Sequence, residues 1–147
     1  MKKYLGAVIA AVGFIVFAAI CGALIGAHMP GYGPGILFLH ADIIAKLVMM
    51  LIVLLHLPIL ILGLIAVIDG KGRLGLPLLI MAILPVLLGC LSAAYGFMNM
   101  QIALSRVGPV SFGVLAPSYA EMTLALAMGF FAATLAMIFR ALGDRRR

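Results

Sequence analysis

Long stretches without a charged side chain dominate this sequence. The first runs from Lys3 to Asp42, and further uncharged stretches occupy 47–68, 74–105 and 122–139. Each is near or above the roughly 20 residues that an α-helix needs to cross a hydrocarbon core about 30 Å thick. With 67% of residues hydrophobic, a water-soluble fold could not bury the apolar surface. The sequence therefore predicts an all-α integral membrane protein.

Clusters of Gly and Pro separate these stretches, at 29–35, 69–72 and 108–109. Gly and Pro commonly mark the ends of helices, so they divide the chain into four transmembrane helices. The connections are too short to hold a soluble domain, and we expect a single membrane domain over 1–147. The predicted helices are 4–27, 40–68, 74–104 and 117–140.

The basic residues lie near the ends of the predicted helices. Because cytoplasmic loops are enriched in Lys and Arg, their distribution predicts that both termini are cytoplasmic. Arg106 alone falls on the opposite side. The net charge of +6 could also suggest a nucleic-acid-binding protein, but these residues do not cluster on one soluble face. The residues on the cytoplasmic side would be Lys2, Lys3, Lys71, Arg73, Arg140, Arg145, Arg146 and Arg147.

Small residues recur at spacings of three and four on the last two helices, which predicts a closely packed neighbour. On the third helix they are Pro85, Gly89, Ser92, Gly96 and Asn99. On the fourth they follow Glu121 as Ala125, Gly129, Ala132 and Ala136. The first helix carries a G-x-x-x-G pair, Gly22 and Gly26, for which packing within the chain is the favoured interpretation.

Ionisable groups at membrane depth are candidates for function, because burying them in lipid is unfavourable. Asp42 and Lys46, spaced i,i+4, could form an ion pair or anchor the helix at the surface. His56 precedes Pro58, which frees a backbone carbonyl that the imidazole could satisfy, and a haem ligand or proton relay is the alternative. His28 and His40 lack partners for a metal site, so we expect no metal and no cofactor.

Glu121 is the strongest candidate, because it lies about one turn inside the fourth helix and heads its small face. Ser92 and Thr123 are the nearby hydroxyl groups that could share a proton pathway with it. Each could instead donate to a carbonyl of its own helix.

Three segments resemble the MotA/TolQ/ExbB proton-channel family, and its ExbB branch most closely. They are His-Ala-Asp-Ile-Ile-Ala-Lys-Leu-Val-Met at 40–49, Tyr-Gly-Phe-Met-Asn at 95–99 and Ala-Pro-Ser-Tyr-Ala-Glu at 116–121. They occur in the family's order and cover roughly 38–140. The resemblance implies a three-helix core with one extra N-terminal helix, and it implies the same membrane orientation as the basic residues.

The resemblance also implies a function. Members of this family form oligomers, commonly pentamers, whose second and third core helices surround single-pass partner helices of the ExbD/TolR/MotB kind. The proton-carrying aspartate would belong to the partner, and Glu121 would face the pore. We add Ser92, Thr123 and Asn99 as proton-pathway candidates. The candidates for packing against the partner helix are Gly89, Gly96, Ala125 and Gly129.

The expected protein is therefore a non-enzymatic subunit of a proton-motive-force-driven complex in a bacterial inner membrane. It departs from the family at three places: Asp69–Arg73 replaces a large cytoplasmic domain, and Ala93 and Leu126 stand where hydroxyl residues are usual. Three other functions stay open. They are a small dimeric proton-coupled transporter, a non-conducting assembly protein, and a haem-bearing electron carrier, for which His56 is the one deep ligand.

Overall fold

The computed structural model describes residues 4–144 of the chain, and within that range it contains helices and no strand. The helices are α1 (Leu5–His28), α2 (Pro34–His40), α3 (Ile43–Asp69), α4 (Gly75–Val107) and α5 (Phe112–Gly143). α1, α3, α4 and α5 are each long and apolar enough to span a membrane. The prediction of an all-α protein with four such helices is confirmed.

The surface of the bundle is strongly apolar. Large side chains such as Ile9, Ile43, Leu57 and Leu91 are more than half exposed. In water, apolar surface of this extent would favour aggregation, whereas in a bilayer it is the expected lipid-facing surface. The fold thus fits a multi-pass membrane protein in contact with lipid.

Two predictions differ from the structure by more than three residues. The connection read as a loop over 28–39 contains α2, which begins at Pro34; proline is favoured at a first helical position because its missing N–H would have no partner there. The last helix begins at Phe112 and not at 117, with Pro117 inside its second turn. Pro117 removes one hydrogen bond to the carbonyl of Gly113, but the helix continues on both sides.

α5 is the central helix, because it packs against α1, α3 and α4. Its buried residues are mainly alanine and glycine, and they surround the helix instead of forming one stripe. Ala120 lies in a cluster with Cys21 of α1, whereas Ala125 packs with Met49 of α3. The single small face predicted for this helix is therefore only part of its packing surface. A helix with neighbours on several sides needs small side chains on each of them.

α4 and α5 touch through their backbones. A Cβ atom built on Gly129 would lie 2.5 Å from the carbonyl oxygen of Pro85, and one on Gly89 would lie 2.9 Å from that of Ala125. No side chain fits at either position without moving a helix. The two glycines therefore set the distance between the antiparallel helices α4 and α5.

α1 packs along α5 in the antiparallel sense. Gly13 lies against the ring of Phe130, and Cys21 Sγ lies 3.6 Å from the carbonyl oxygen of Ala120. The G-x-x-x-G pair makes no such contact: a Cβ atom built on Gly22 or Gly26 would have no atom of another described helix within 4 Å. The expectation that this pair packs within the chain is wrong, because Gly13 and Cys21 occupy the face toward α5.

The two ends of the bundle differ. One end holds α2 with the α4–α5 connection, and is called the α2 end below. The other holds the turn after α3, where Gly70 ends the helix with φ +62° and Lys71 Nζ lies 3.9 Å from Asp69 Oδ1. Arg140 reaches Gly75 at this same end, as the charge pattern requires. Lys2, Lys3 and Arg145–Arg147 lie outside the described residues, so the cytoplasmic placement of both termini stays a prediction.

The backbone contact between α4 and α5 predicts how glycine variants behave. Gly129→Ala and Gly89→Ala should each lower the free energy of unfolding by about 1–3 kcal/mol, since the added methyl group must push α4 from α5. Gly22→Ala is the matched control, because its methyl group meets open space and alanine is a better helix former by about 1 kcal/mol. Thermal unfolding in one detergent measures all three. Equal stability of Gly129→Ala and Gly22→Ala would contradict the contact.

Candidate functional site

A polar cleft of about 260 Å³ lies between α3, α4 and α5 toward the α2 end. It gathers two carboxyl groups, an amide and three hydroxyl groups in an otherwise apolar bundle. The lining residues are Asp42, Ala45, Ser92, Tyr95, Gly96, Asn99, Met100, Ala103, Ser118, Glu121 and Met122. Because polar groups are costly at membrane depth, such a concentration is the best candidate for a functional site.

The cleft brings together three of the four proton-pathway candidates. Glu121 is half-buried in its wall, Ser92 is buried, and Asn99 is exposed. Thr123 is not among the lining residues. Its Oγ1 donates to the carbonyl oxygens of Tyr119 and Ala120, each at 3.0 Å, so the hydroxyl is satisfied within its own helix. Residues two apart on a helix do not share a face, and this rule separates Thr123 from Glu121.

Three residues that line the cleft with Glu121 were not placed beside it from the sequence: Ser118, Tyr95 and Asp42. Ser118 precedes it by three residues and Tyr95 follows Ser92 by three, so helical spacing alone places each pair on one face. Asp42 could not be assigned to the cleft from spacing. It reaches Glu121 only because the corner between α2 and α3 lies over α5.

That corner is held by two side chains. The backbone N–H of Ile44 donates to Asp42 Oδ2 at 3.3 Å, so Asp42 caps the start of α3. Lys46 Nζ donates to the carbonyl oxygen of Leu39 at 2.8 Å, which satisfies a free carbonyl at the end of α2. No ion pair joins Asp42 to Lys46 within residues 4–144. Anchoring, one of the two roles expected for this pair, is therefore what the contacts support.

Glu121 lies beside the corner. Its carboxyl group lines the cleft together with that of Asp42, the residue before the start of α3. Two carboxyl groups in one polar cleft attract protons and other cations. The arrangement suits a group that binds and releases a proton or another small cation.

The four residues proposed to pack against a partner helix are used within the chain. Gly89 and Ala125 form the contact between α4 and α5, Gly129 packs on Pro85, and Gly96 lies against Met122. A partner helix could reach Gly89, Ala125 and Gly129 only if α4 and α5 separated, whereas Gly96 also lines the cleft. The open side of the cleft, where Asn99 is exposed, is the accessible surface.

His56 is separate from the cleft. Its Nδ1 donates to the carbonyl oxygen of Ile52 at 2.9 Å, and its ring lies 5.6 Å from that of Phe131. The carbonyl that it satisfies is not the one freed by Pro58, which belongs to Leu54, four residues before the proline. Among residues 4–144, no group of three or more His, Cys, Asp or Glu side chains could hold a metal ion.

Comparison of the chain with protein-family models, with curated proteins and with solved structures gives no match.

The capping role of Asp42 can be measured apart from its charge. Asp42→Ala should lower the free energy of unfolding by about 1 kcal/mol, whereas Asp42→Asn should lower it by only a few tenths, because asparagine also caps helices. Asp69→Ala, at the opposite end of α3, is the control and should not destabilise, since a carboxylate is unfavourable at a helix C-terminus. Thermal unfolding in detergent distinguishes them. Equal losses for Asp42→Ala and Asp42→Asn would rule out capping.

Proposed function

We propose that this chain is an ExbB/TolQ-like subunit of a proton-motive-force-driven complex in a bacterial inner membrane. Several copies would form a ring, expected to be a pentamer, around single-pass helices of an ExbD/TolR-like partner. The partner would carry a proton-binding aspartate, and the complex would energise a periplasmic or outer-membrane process. The chain itself would catalyse no reaction.

The observation that supports the proposal is the polar cleft with Glu121 in its wall. The resemblance rests on segments 40–49, 95–99 and 116–121, which were chosen by sequence alone. Asp42, Asn99 and Glu121, one from each segment, all line this one cleft. Three segments that lie far apart in the chain thus contribute to a single site. This is expected if all three resemble the family because they serve the same function.

The cleft also bears on the departures from the family pattern. Ala93 and Leu126 supply no hydroxyl, but Ser92 precedes Ala93 and lines the cleft with Glu121. Thr123 is a poor substitute, because its one hydroxyl hydrogen is already shared between the carbonyls of Tyr119 and Ala120. Ser92 is therefore the hydroxyl group that we assign to the proton pathway, next to Glu121 and Asn99.

Proton uptake into vesicles that contain the reconstituted complex tests the role of Glu121. Glu121→Gln should lower the uptake rate at least about tenfold, because an amide cannot exchange a proton and proton-transfer groups contribute roughly 10²-fold or more. Asp69→Asn is the matched control, since it removes a carboxyl group at the other end of the bundle. Wild-type uptake in Glu121→Gln would remove this residue from the pathway.

The assembly is tested by purifying the chain together with an aspartate-bearing single-pass protein encoded nearby and counting subunits by native mass spectrometry. A ring of about five copies with partner helices is the expected result. A stable dimer without a partner would contradict the proposal.

A small proton-coupled transporter is the second candidate, and one observation favours it. The cleft is lined by α3, α4 and α5 of one chain, so a substrate site would not require a ring. A dimer that takes up a cationic substrate in exchange for protons would support the transporter. Intact assembly without any conduction would instead support a structural role.

A further inference from the structure

The cleft is open at one end. At the α2 end its wall includes Ala103 and Asn99, both exposed, and Asp42, which is exposed at the corner before α3. Water at the membrane surface can therefore reach the polar groups nearest that end. The cleft continues from there along α4 to Ser92.

The other end of the cleft is closed by the glycine contact. Gly89 lies one turn beyond Ser92 on α4, and there a Cβ atom would already be 2.9 Å from the carbonyl oxygen of Ala125. Two turns beyond Ser92 on α4 lies Pro85, whose carbonyl oxygen contacts Gly129 of α5. Helix backbones this close leave no space for a water molecule between them, so the cleft ends at Ser92.

This closed end lies deep in the bundle. α4 runs from Gly75 to Val107, and Ser92 is near its midpoint. From Ala103 to Ser92 the helix rises about 16 Å, at 1.5 Å per residue. That is about half the thickness of a hydrocarbon core of roughly 30 Å.

Ser92 itself indicates what fills the cleft. Only 4% of its surface is exposed, and no residue within 4–144 forms a hydrogen bond with its hydroxyl group. The hydroxyl groups of Thr123 and Thr134, by contrast, donate to carbonyls of their own helix. The hydroxyl oxygen of Ser92 is not itself fully buried, so it is accessible from the cleft, and water is the usual partner of such a group.

The cleft has the size and the polar groups to hold that water. A cavity of about 260 Å³ has room for several molecules, at roughly 30 Å³ each. Ser92, Tyr95, Asn99, Ser118 and Glu121 can each donate to or accept from them. Two carboxyl groups, those of Asp42 and Glu121, line the cleft, and none of its described lining residues is Lys or Arg, so the cleft favours cations over anions.

We propose that the cleft is a water-filled half-channel, open at the α2 end and closed at Gly89, that brings hydrated monovalent cations to Glu121 and Ser92. Its role in supplying protons rests on the function proposed above, but its hydration does not. Because it stops halfway, a cation cannot cross the membrane inside one chain. Passage to the other side requires a second surface, which a ring or a partner helix can provide.

Cysteine accessibility in the full-length chain tests the half-channel. In a background with Cys21→Ala and Cys90→Ala, Ser92→Cys and Asn99→Cys are treated with a membrane-impermeant cationic methanethiosulfonate, added to one side of the membrane at a time. Leu91→Cys is the matched control, because it has nearly the same depth and is 64% exposed on the lipid-facing surface. Tyr32→Cys, in the loop before α2, reports which side the α2 end faces.

Both cleft variants should react from the same side as Tyr32→Cys, and Ser92→Cys at least about tenfold faster than Leu91→Cys, because thiols ionise in water and not in hydrocarbon. An anionic reagent of equal size should react more slowly. Reaction of Ser92→Cys no faster than Leu91→Cys, or from the opposite side, would overturn the half-channel. If Ser92→Cys does not yield folded protein, Met122→Cys, which lines the same cleft from α5, must give the same result.

The outcome is independent of conduction. If Ser92→Cys is labelled but the reconstituted complex takes up no protons, the half-channel is retained and the proton-driven function is rejected. If the reconstituted complex takes up protons but Ser92→Cys is not labelled, the proton-driven function is retained and the half-channel is rejected.

Discussion

The direct contact between the backbones of α4 and α5 is the constraint on which the rest of the bundle depends. Gly129 against Pro85 and Gly89 against Ala125 bring two long helices closer than any side chain would allow. In lipid, where no hydrophobic force draws helices together, such close packing is a main source of association. The position of α5 then determines where α1 and α3 can pack, since both lie along it.

The same contact accounts for the cleft. Toward the α2 end the facing positions carry larger side chains, such as Tyr95, Asn99 and Met122, and the helices no longer meet through their backbones. The corner formed by Asp42 and Lys46 covers part of the resulting gap. A bundle that is tight over one half and open over the other is thus a direct result of where glycine occurs in α4 and α5.

Much of this architecture could be predicted from the sequence, because long uncharged stretches indicate spanning helices and Gly-Pro clusters indicate where those helices end. The four spanning helices and the small faces of α4 and α5 follow from spacing alone. α2 could not be predicted, since its seven residues lie among glycines and prolines that are typical of loops. The early start of α5 has a similar cause: the sequence favours Pro117 as a first helical residue, although helices tolerate proline in an early turn.

The site was harder to predict than the fold. Glu121, Ser92 and Asn99 were found because ionisable and polar residues are rare in such helices, and helical spacing related Ser92 to Asn99. Thr123 was included because it is close in sequence, but the direction of its hydroxyl depends on the backbone carbonyls of its own turn. Asp42 needed the three-dimensional path of the chain, since nothing in its spacing relates α3 to α5.

The central position of α5 has a consequence for biogenesis. α5 leaves the ribosome after α1, α3 and α4, yet it is the helix against which α1 packs along its length. The short turn at Asp69–Arg73 lets α3 and α4 pair early, as a hairpin of neighbouring helices. α1 must wait in the bilayer until α5 has been made, so the native arrangement of these four helices is completed only when α5 inserts.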